Sequence, residues 1–428
     1  MNLYGSKSLK GEIKIPGDKS ISHRSAIISS MVKNNVLIEN FLFCKDCIKT
    51  IDVLRKLGVK VERIEGNLIV FGRGIEVFNE PVEVLDVGNS GTTIRIICGV
   101  LAATDFMSIL SGDESINNRP MERVIRPLSR MGAVINGREK NTKAPIVVFG
   151  NPDLKGRKFE LKISSAQVKS SILMAALNAK GTTEINQPHI SRDHTERMLE
   201  YFGADISYNG KYVKLKPGRD LTATKIYIPG DISSAAYFIV AALILKHSHI
   251  IIKDVGINPT RSHFLEILKK MGGNIYIKNK RVFNKEPVAD VEVFYSKLNS
   301  TIIRKSKIPC IIDEIPILCV AAAVAEGETV IKGAEELRLK ESDRIKSIVS
   351  QFKKLNVDIE EKKDGMTIRG NKDFKAVGGT VDSFGDHRIA MSLSILSLLS
   401  EEKVTILNSD CINTSFPSFK YILKKLML

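Results

Sequence analysis

The 428-residue sequence predicts an α/β fold of two similar domains. Three observations lead to this reading. Amphipathic helices closed by Gly or Asn recur at near-regular intervals, a second family of almost wholly apolar helices alternates with them, and PGDKSISHR at Pro16 returns as PGDISSAAY at Pro229. Length agrees, because single cores stop growing at roughly 250–300 residues. Recurrence at a steady spacing marks a repeat architecture in which each copy is one supersecondary unit.

The first helix family reads TIDVLRKLGVKVE, ERVIRPLSRMGAVI, TERMLEYFGADIS, FLEILKKMGGNIY and IKSIVSQFKKLNVDIE. Each copy has one apolar face and runs into an alternating strand. Gly58, Gly132, Gly203, Gly272 and Asn356 close the helices, and these are the residue types a left-handed C-terminal cap requires. Successive intervals are 74, 71, 69 and 84 residues, and SFKYILKKLML supplies a sixth copy. The second family reads SISHRSAIISSMV, SGTTIRIICGVLAA, SAQVKSSILMAALNA, ISSAAYFIVAALIL, DEIPILCVAAAVA and GDHRIAMSLSILSLL, starting at Ser20, Ser90, Ser165, Ile232, Asp313 and Gly385. A helix apolar on every side is buried, so these are inner helices and the first family lies outside them. Six units of about 71 residues follow, each with an outer helix, an inner helix and short strands. Two groups of three, about 210 residues each, fit the repeated PGD segment; the strand order stays open.

Composition is that of an ordinary globular chain, with 43% hydrophobic and 26% charged residues. No run of about 18 apolar residues marks a membrane span, and MNLYGSKSLKGEIKIPGDKS lacks the apolar core of a signal peptide. A cytoplasmic protein with no membrane association is expected. Lys and Arg outnumber Asp and Glu by 64 to 48, a net charge of +16, which brings a nucleic-acid partner into consideration. The basic residues are scattered, however, Trp is absent, and no RNP, zinc-finger or RGG pattern occurs. A basic enzyme acting on small polyanions explains the sign equally well, and no nucleic acid is expected. Cys44 and Cys47 form a lone CxxC, read as two partly buried thiols rather than a zinc or redox site. Cys98 and Cys319 read as core.

Chemistry gathers where the inner helices begin. These starts carry Lys19, Ser20 and Arg24; Asn89, Gly91, Thr92 and Arg95; Ser165, Gln167 and Lys169; Asp231 and Ser233; Asp313 and Glu314; and Asp386, His387 and Arg388. Capping accounts for most of the Ser and Asp. It does not account for Arg24, Arg95, Lys169 and Arg388, cations set against the positive end of the helix dipole. That placement points to an anion between them, since helix N-termini already bind phosphate and carboxylate. Arg119, just ahead of an outer helix that Pro120 opens, joins the candidates. So do Lys340, Glu341 and Arg344 at another outer-helix start. Read as helical, Lys340 and Arg344 share one face, and Glu341 alone cannot bridge both, so a ligand is again expected. GNSGTT lacks the GK[ST] ending of a phosphate loop, no GxGxxG or HExxH occurs, and the histidines have no metal spacing. No metal and no cofactor are expected.

In chain order, PGDKSISHR, GNSGTTIR, the RPM after GDES, SAQVKS, SRDHTERM, PGDISSAAYF, LRLKESDR, GDHRIAM and TSFP resemble the 5-enolpyruvylshikimate-3-phosphate synthases from end to end. The forms SAQVKS and SRDHTERM are similar to the divergent bacterial branch. The resemblance implies transfer of the enolpyruvyl group of phosphoenolpyruvate to the 5-hydroxyl of shikimate 3-phosphate, by addition and elimination, in chorismate and aromatic amino-acid biosynthesis. It implies the enolpyruvyl transferase-like inside-out barrel, with three βαβαββ units per domain. Residues 17–229 would form one domain and residues 1–16 with 230–428 the other, with the active site in the cleft between them. The partners would be the two small anionic substrates, bound by a monomer.

The same resemblance implies the residue roles. Lys19, Ser20 and Arg24 match shikimate 3-phosphate ligands, as do Ser165, Gln167 and either Ser191 or Arg192; Asp313 and Lys340 would hold ring hydroxyls. Lys19, Gly91, Arg119, Gln167, Arg344 and Arg388 match contacts to phosphoenolpyruvate. Asp313 would be the general base, and Lys19 or Glu341 the acid that protonates C3. Three positions depart from the enteric and plant pattern: Ile96 replaces a Pro, Ala166 a Ser, and Thr414 a Lys before the FP pair. The rival within the fold is the UDP-N-acetylglucosamine enolpyruvyl transferase. That family has KN after the first PG and usually a cysteine before RP, where this sequence has KS and GDESINNRP. A remoter rival, an RNA-processing or RNA-binding protein on related repeats, rests on the net charge alone.

Overall fold

Each of the six apolar segments forms a helix in the computed structural model, which describes residues 1–427. These inner helices are Lys19–Ser30, Gly91–Leu101, Ala166–Ala176, Ile232–Ile244, Ile315–Ala323 and His387–Leu396. Five start on a side-chain cap, as their sequences require. Asp18, Ser90, Ser165, Asp231 and Asp386 each accept from a backbone N–H of the first turn. The remaining helix departs from expectation, because Asp313 does not begin it. Pro309 and Pro316 suit first-turn positions, so the chain forms a short helix, Ile308–Ile311, and then restarts at Ile315. Asp313 is left in the turn between, and Glu314 takes the cap position without a side-chain cap bond.

The outer helices are Lys45–Lys56, Glu122–Met131, His194–Tyr201, His263–Lys270, Arg344–Lys354 and Phe419–Leu426. Gly58, Gly132, Gly203, Gly272 and Asn356 follow five of them with φ of +85°, +112°, +95°, +97° and +68°, the left-handed turn foreseen from residue type.

Six small sheets accompany the helices, and each contains one parallel pair. Leu85–Asp86 beside Met107–Ser111 and Lys158–Glu160 beside Thr183–Asn186 show the rule: the strand before an inner helix runs parallel to the strand after it. The inner helix is the crossover that a parallel pair needs. A hairpin after the outer helix then extends the sheet antiparallel. The two PGD segments break this local pattern. Lys10–Lys14 leads into Lys19–Ser30 yet pairs with His249–Gly256, and Lys225–Tyr227 leads into Ile232–Ile244 yet pairs with Asn35–Glu39. The last sheet has three strands, with Asn2–Leu3 antiparallel to Val404–Leu407.

The chain accordingly divides into two units. One comprises Met1–Pro16, Gly230–Arg281 and Pro287–Leu428; the other comprises Gly17–Pro229 with the hairpin tip Val282–Glu286. Each has its own apolar core, built on its three inner helices. The hairpin tip joins the core-bearing segment Gly17–Pro229 by specific bonds. His194 Nδ1 lies 2.7 Å from Glu286 Oε1, Asn284 donates to the Tyr227 carbonyl at 2.6 Å, and the Tyr227 and Phe283 rings meet edge to face. Among the described residues no helix is long and apolar enough to cross a membrane. Cys98 and Cys319 lie in the cores, and Cys44 and Cys47 are fully rather than partly buried; all are free thiols.

Candidate active site

In the unit Gly17–Pro229, Asp18 caps Ile21 at 2.9 Å and so places Lys19 at the first helical position. The Lys19 ammonium meets the Asp46 carboxylate, from the first turn of the adjoining outer helix, with side chains 18% and 11% exposed. Burial alone would lower the Lys19 pKa, but Asp46, with Cys44 and Cys47 beside it, outweighs burial and holds the ammonium above its usual range. Arg24 is buried one turn further on. It donates to Thr195 Oγ1 at 2.7 Å, Ser170 Oγ at 3.0 Å and the Ser20 carbonyl at 3.0 Å, spanning two further helices.

A second group gathers around Gly91. Gln167 accepts from Arg95 Nη1 at 2.5 Å and donates to Thr92 Oγ1 at 3.1 Å. Arg119 donates to Asn89 Oδ1 and Ser115 Oγ, both at 3.1 Å. A Cβ at Gly91 would lie 3.0 Å from Arg119 Nη1 and 3.6 Å from Arg95 Nη1, so Gly91, Arg95, Arg119 and Gln167 are one cluster. The cation pattern at the helix starts had singled out Arg95, whereas the resemblance gave it no ligand role; its bond to Gln167 orients a residue that has one. Ser165 caps Val168, buried Ser191 donates to Gln187 at 2.8 Å, and Arg192 is half-buried ahead of its outer helix.

Lys169 corrects the reading that every cation near an inner-helix start awaits a ligand. It is fully buried, and its Nζ is 2.5 Å from Glu196 Oε1 on the outer helix His194–Tyr201. The anion is the protein's own carboxylate. Burial, the larger effect, pushes the Glu196 pKa up against the pull of Lys169.

The other unit holds a denser network. Arg344, 1% exposed, donates from Nε to Asp386 Oδ2 at 2.8 Å and from Nη2 to Glu341 Oε2 at 2.5 Å, and its Nη1 lies 3.5 Å from Asp313 Oδ1. Burial opposes its charge, but the three carboxylates outweigh it and raise its pKa. Asp313 Oδ2 is 3.3 Å from Arg388 Nη2, and the Asp313 carbonyl accepts from Arg388 Nη1 at 3.0 Å. Asp313 is thus held between two guanidiniums, at main chain and side chain.

Two expectations fail here. Lys340 and Arg344 do not share a helical face: the Asp343 carboxylate caps Lys346 N, so the helix starts at Arg344 and Lys340 lies before it in extended backbone. Nor does a ligand have to bridge the pair, because Asp386, Glu341 and Asp313 already surround Arg344. Lys340 is instead pushed down to about 8, chiefly by burial and further by Arg344, with Asp313 opposing. Thr414, where a Lys was missed, turns its hydroxyl to the Cys411 carbonyl at 2.7 Å.

Each of the two α/β units has three inner helices, with guanidinium, ammonium and carboxylate groups set near where the inner and outer helices begin. The family model described as EPSP synthase (3-phosphoshikimate 1-carboxyvinyltransferase) matches residues 3–423. A 3-phosphoshikimate 1-carboxyvinyltransferase of Syntrophomonas wolfei is 48% identical over 98% of this chain and 98% of its own. One from a Thermoanaerobacter species is 50% identical over 96% of both. The solved EPSP synthase of Acinetobacter baumannii superposes with a TM-score of 0.89 at 39% identity, covering 100% of this chain and 97% of that one. The chain belongs to the EPSP synthase family.

Proposed function

We infer that this protein is an enzyme of the shikimate route to aromatic amino acids, transferring the enolpyruvyl group of phosphoenolpyruvate to the 5-hydroxyl of shikimate 3-phosphate with release of phosphate. The observation that carries the reading is the end-to-end family match over residues 3–423. It leaves the UDP-N-acetylglucosamine and RNA readings without support of their own.

The residue roles are those that the resemblance implies, and the charges around these side chains support them. Lys19, Ser20, Arg24, Ser165, Gln167 and Ser191 or Arg192 hold shikimate 3-phosphate, together with Asp313 and Lys340. Lys19, Gly91, Arg119, Gln167, Arg344 and Arg388 hold phosphoenolpyruvate. Asp313 takes the 5-hydroxyl proton as the oxygen attacks C2. A carboxylate held by two guanidiniums is a weak base, but an arriving anion draws on both guanidiniums and leaves Asp313 more basic. Lys19, held charged by Asp46, acts as a fixed positive charge rather than a proton donor. Glu341 or Lys340 then protonates C3, and Lys340, at about 8, releases a proton far more readily than an ordinary lysine. The same cations stabilise the charge on departing phosphate.

The test is phosphate release with phosphoenolpyruvate paired in turn with shikimate 3-phosphate and UDP-N-acetylglucosamine. Release with the first acceptor alone is expected. Release with the second alone would replace the reading.

A further inference from the structure

Arg261 precedes the outer helix His263–Lys270 and is 2% exposed, one of the most deeply buried charges in the molecule. Nothing in the reaction as described above uses it. Its Nη2 donates to Ser233 Oγ at 2.6 Å and lies 3.7 Å from Asp231 Oδ1 and 3.9 Å from Glu314 Oε1. Ser233 in turn donates to Glu314 Oε1. Asp231 is the cap of the inner helix Ile232–Ile244, and Glu314, fully buried, occupies the cap position of the next inner helix, Ile315–Ala323. One guanidinium therefore joins the starts of two successive inner helices.

The repeat supplies a parallel. Arg344 stands at the start of the following outer helix and also reaches two successive inner-helix starts: Asp313, before Ile315–Ala323, and Asp386, the cap of His387–Leu396. Asp313 and Glu314 are neighbours, so the two arginines grip adjacent residues of one turn. Arg344 and Arg388 hold Asp313, while Arg261 and Ser233 hold Glu314. The turn lacks a side-chain cap of its own, so these contacts take the place of one in fixing it.

We propose that Arg261 is a positioning residue for Asp313: by holding Glu314 through Ser233, it sets the turn from which the Asp313 carboxylate reaches the acceptor hydroxyl. The proposal rests on the reading of Asp313 as the general base. Arg261→Lys keeps the buried charge but loses the fork that spans Asp231, Ser233 and Glu314. Its melting temperature should stay near that of the wild type. Its kcat should fall on the order of 10- to 100-fold, the scale on which displacing a reacting group by about 1 Å acts. The KM for phosphoenolpyruvate should stay within about threefold, since turnover alone is impaired. Ser233→Ala, which removes the relay and leaves both charges, should lower kcat in the same direction.

Asp313→Asn is measured alongside, and should lower kcat by at least about 100-fold. If Asp313→Asn is slow while folded Arg261→Lys and Ser233→Ala turn over normally, the positioning role is overturned and the base assignment stands. A kcat loss in Arg261→Lys that only tracks its loss of folded protein likewise reduces Arg261 to a structural charge. Normal turnover by Asp313→Asn overturns both readings.

Discussion

Lys340 is the ionisable side chain whose setting gives the sharpest single-residue prediction. Burial and Arg344 bring it from 10.5 to about 8. Between those values the unfolded chain binds the extra proton and the folded chain does not, so stability rises with pH through that window. Below it, the charged lysine costs stability in full. Lys340→Met should therefore melt higher than wild type near pH 7, with the advantage shrinking as pH climbs from 8 towards 10.5. Wild-type kcat/KM should fall on the basic side of about 8 if the charged form serves the substrate. A melting difference that is flat with pH would contradict the depressed pKa. Gly91 gives a second test at this scale. Its φ is not in the left-handed region, so Ala suits the helix backbone, but the new Cβ would press on Arg119 Nη1 at 3.0 Å. Gly91→Ala should fold at least as well as wild type and raise the KM for phosphoenolpyruvate several-fold, with less effect on kcat. An unchanged KM would remove Gly91 and Arg119 from that subsite.

Among the elements, the inner helix Ala166–Ala176 and the outer helix His194–Tyr201 are joined by the buried Lys169–Glu196 pair. Removing one partner strands a buried charge, at a cost of about 3–5 kcal/mol, whereas removing both is often near neutral. Lys169→Met should thus melt well below wild type, and Lys169→Met/Glu196→Leu should recover most of the loss. Turnover by the recovered double variant distinguishes the two roles. Near-normal kcat/KM fits an internal pair, whereas a persistent loss would return Lys169 to the ligand set. The pair also shows what could be read at this scale. The apolar run SSILMAALNA marked a buried helix and Gly203 marked its neighbour's end, both correctly. Lys169 stood out as a cation at a helix start, but that Glu196 on the second helix would be its anion could not be read, because an acidic residue in a first turn is ordinary and nothing in the spacing links the two. Likewise the spacing of Lys340 and Arg344 implied a helical face, which the Asp343 cap removed by starting the helix later.

For the molecule as a whole, two separate cores make a prediction about folding. Every residue of one core lies between Ile21 and Ile228, and the three sheets of that unit draw all their strands from the same stretch. A fragment of residues 17–229 should therefore fold alone and melt cooperatively. It should melt at a lower temperature than in the full chain, since it lacks Glu286 opposite His194 and Asn284 on the Tyr227 carbonyl. Near-ultraviolet circular dichroism and dispersed amide resonances would report it. A fragment without a cooperative transition would mean that the hairpin tip is indispensable to this core.

Helix period, cap residues and repeat spacing are local properties, and the sequence by itself determined them: six inner helices, six outer helices, left-handed turns at Gly58, Gly132, Gly203, Gly272 and Asn356, and cations clustered at helix starts. Local preference acts on the backbone within a few residues, so it survives without knowledge of the neighbours. What only the tertiary structure decided involves partners far apart in the chain. Lys10–Lys14 pairs with His249–Gly256 rather than with the unit it leads into, Lys169 turns to Glu196, and Arg261 joins Asp231 to Glu314. A buried charge must find an opposite charge wherever packing brings one within reach. Which carboxylate that is depends on which helices lie side by side, and no spacing along the sequence encodes it.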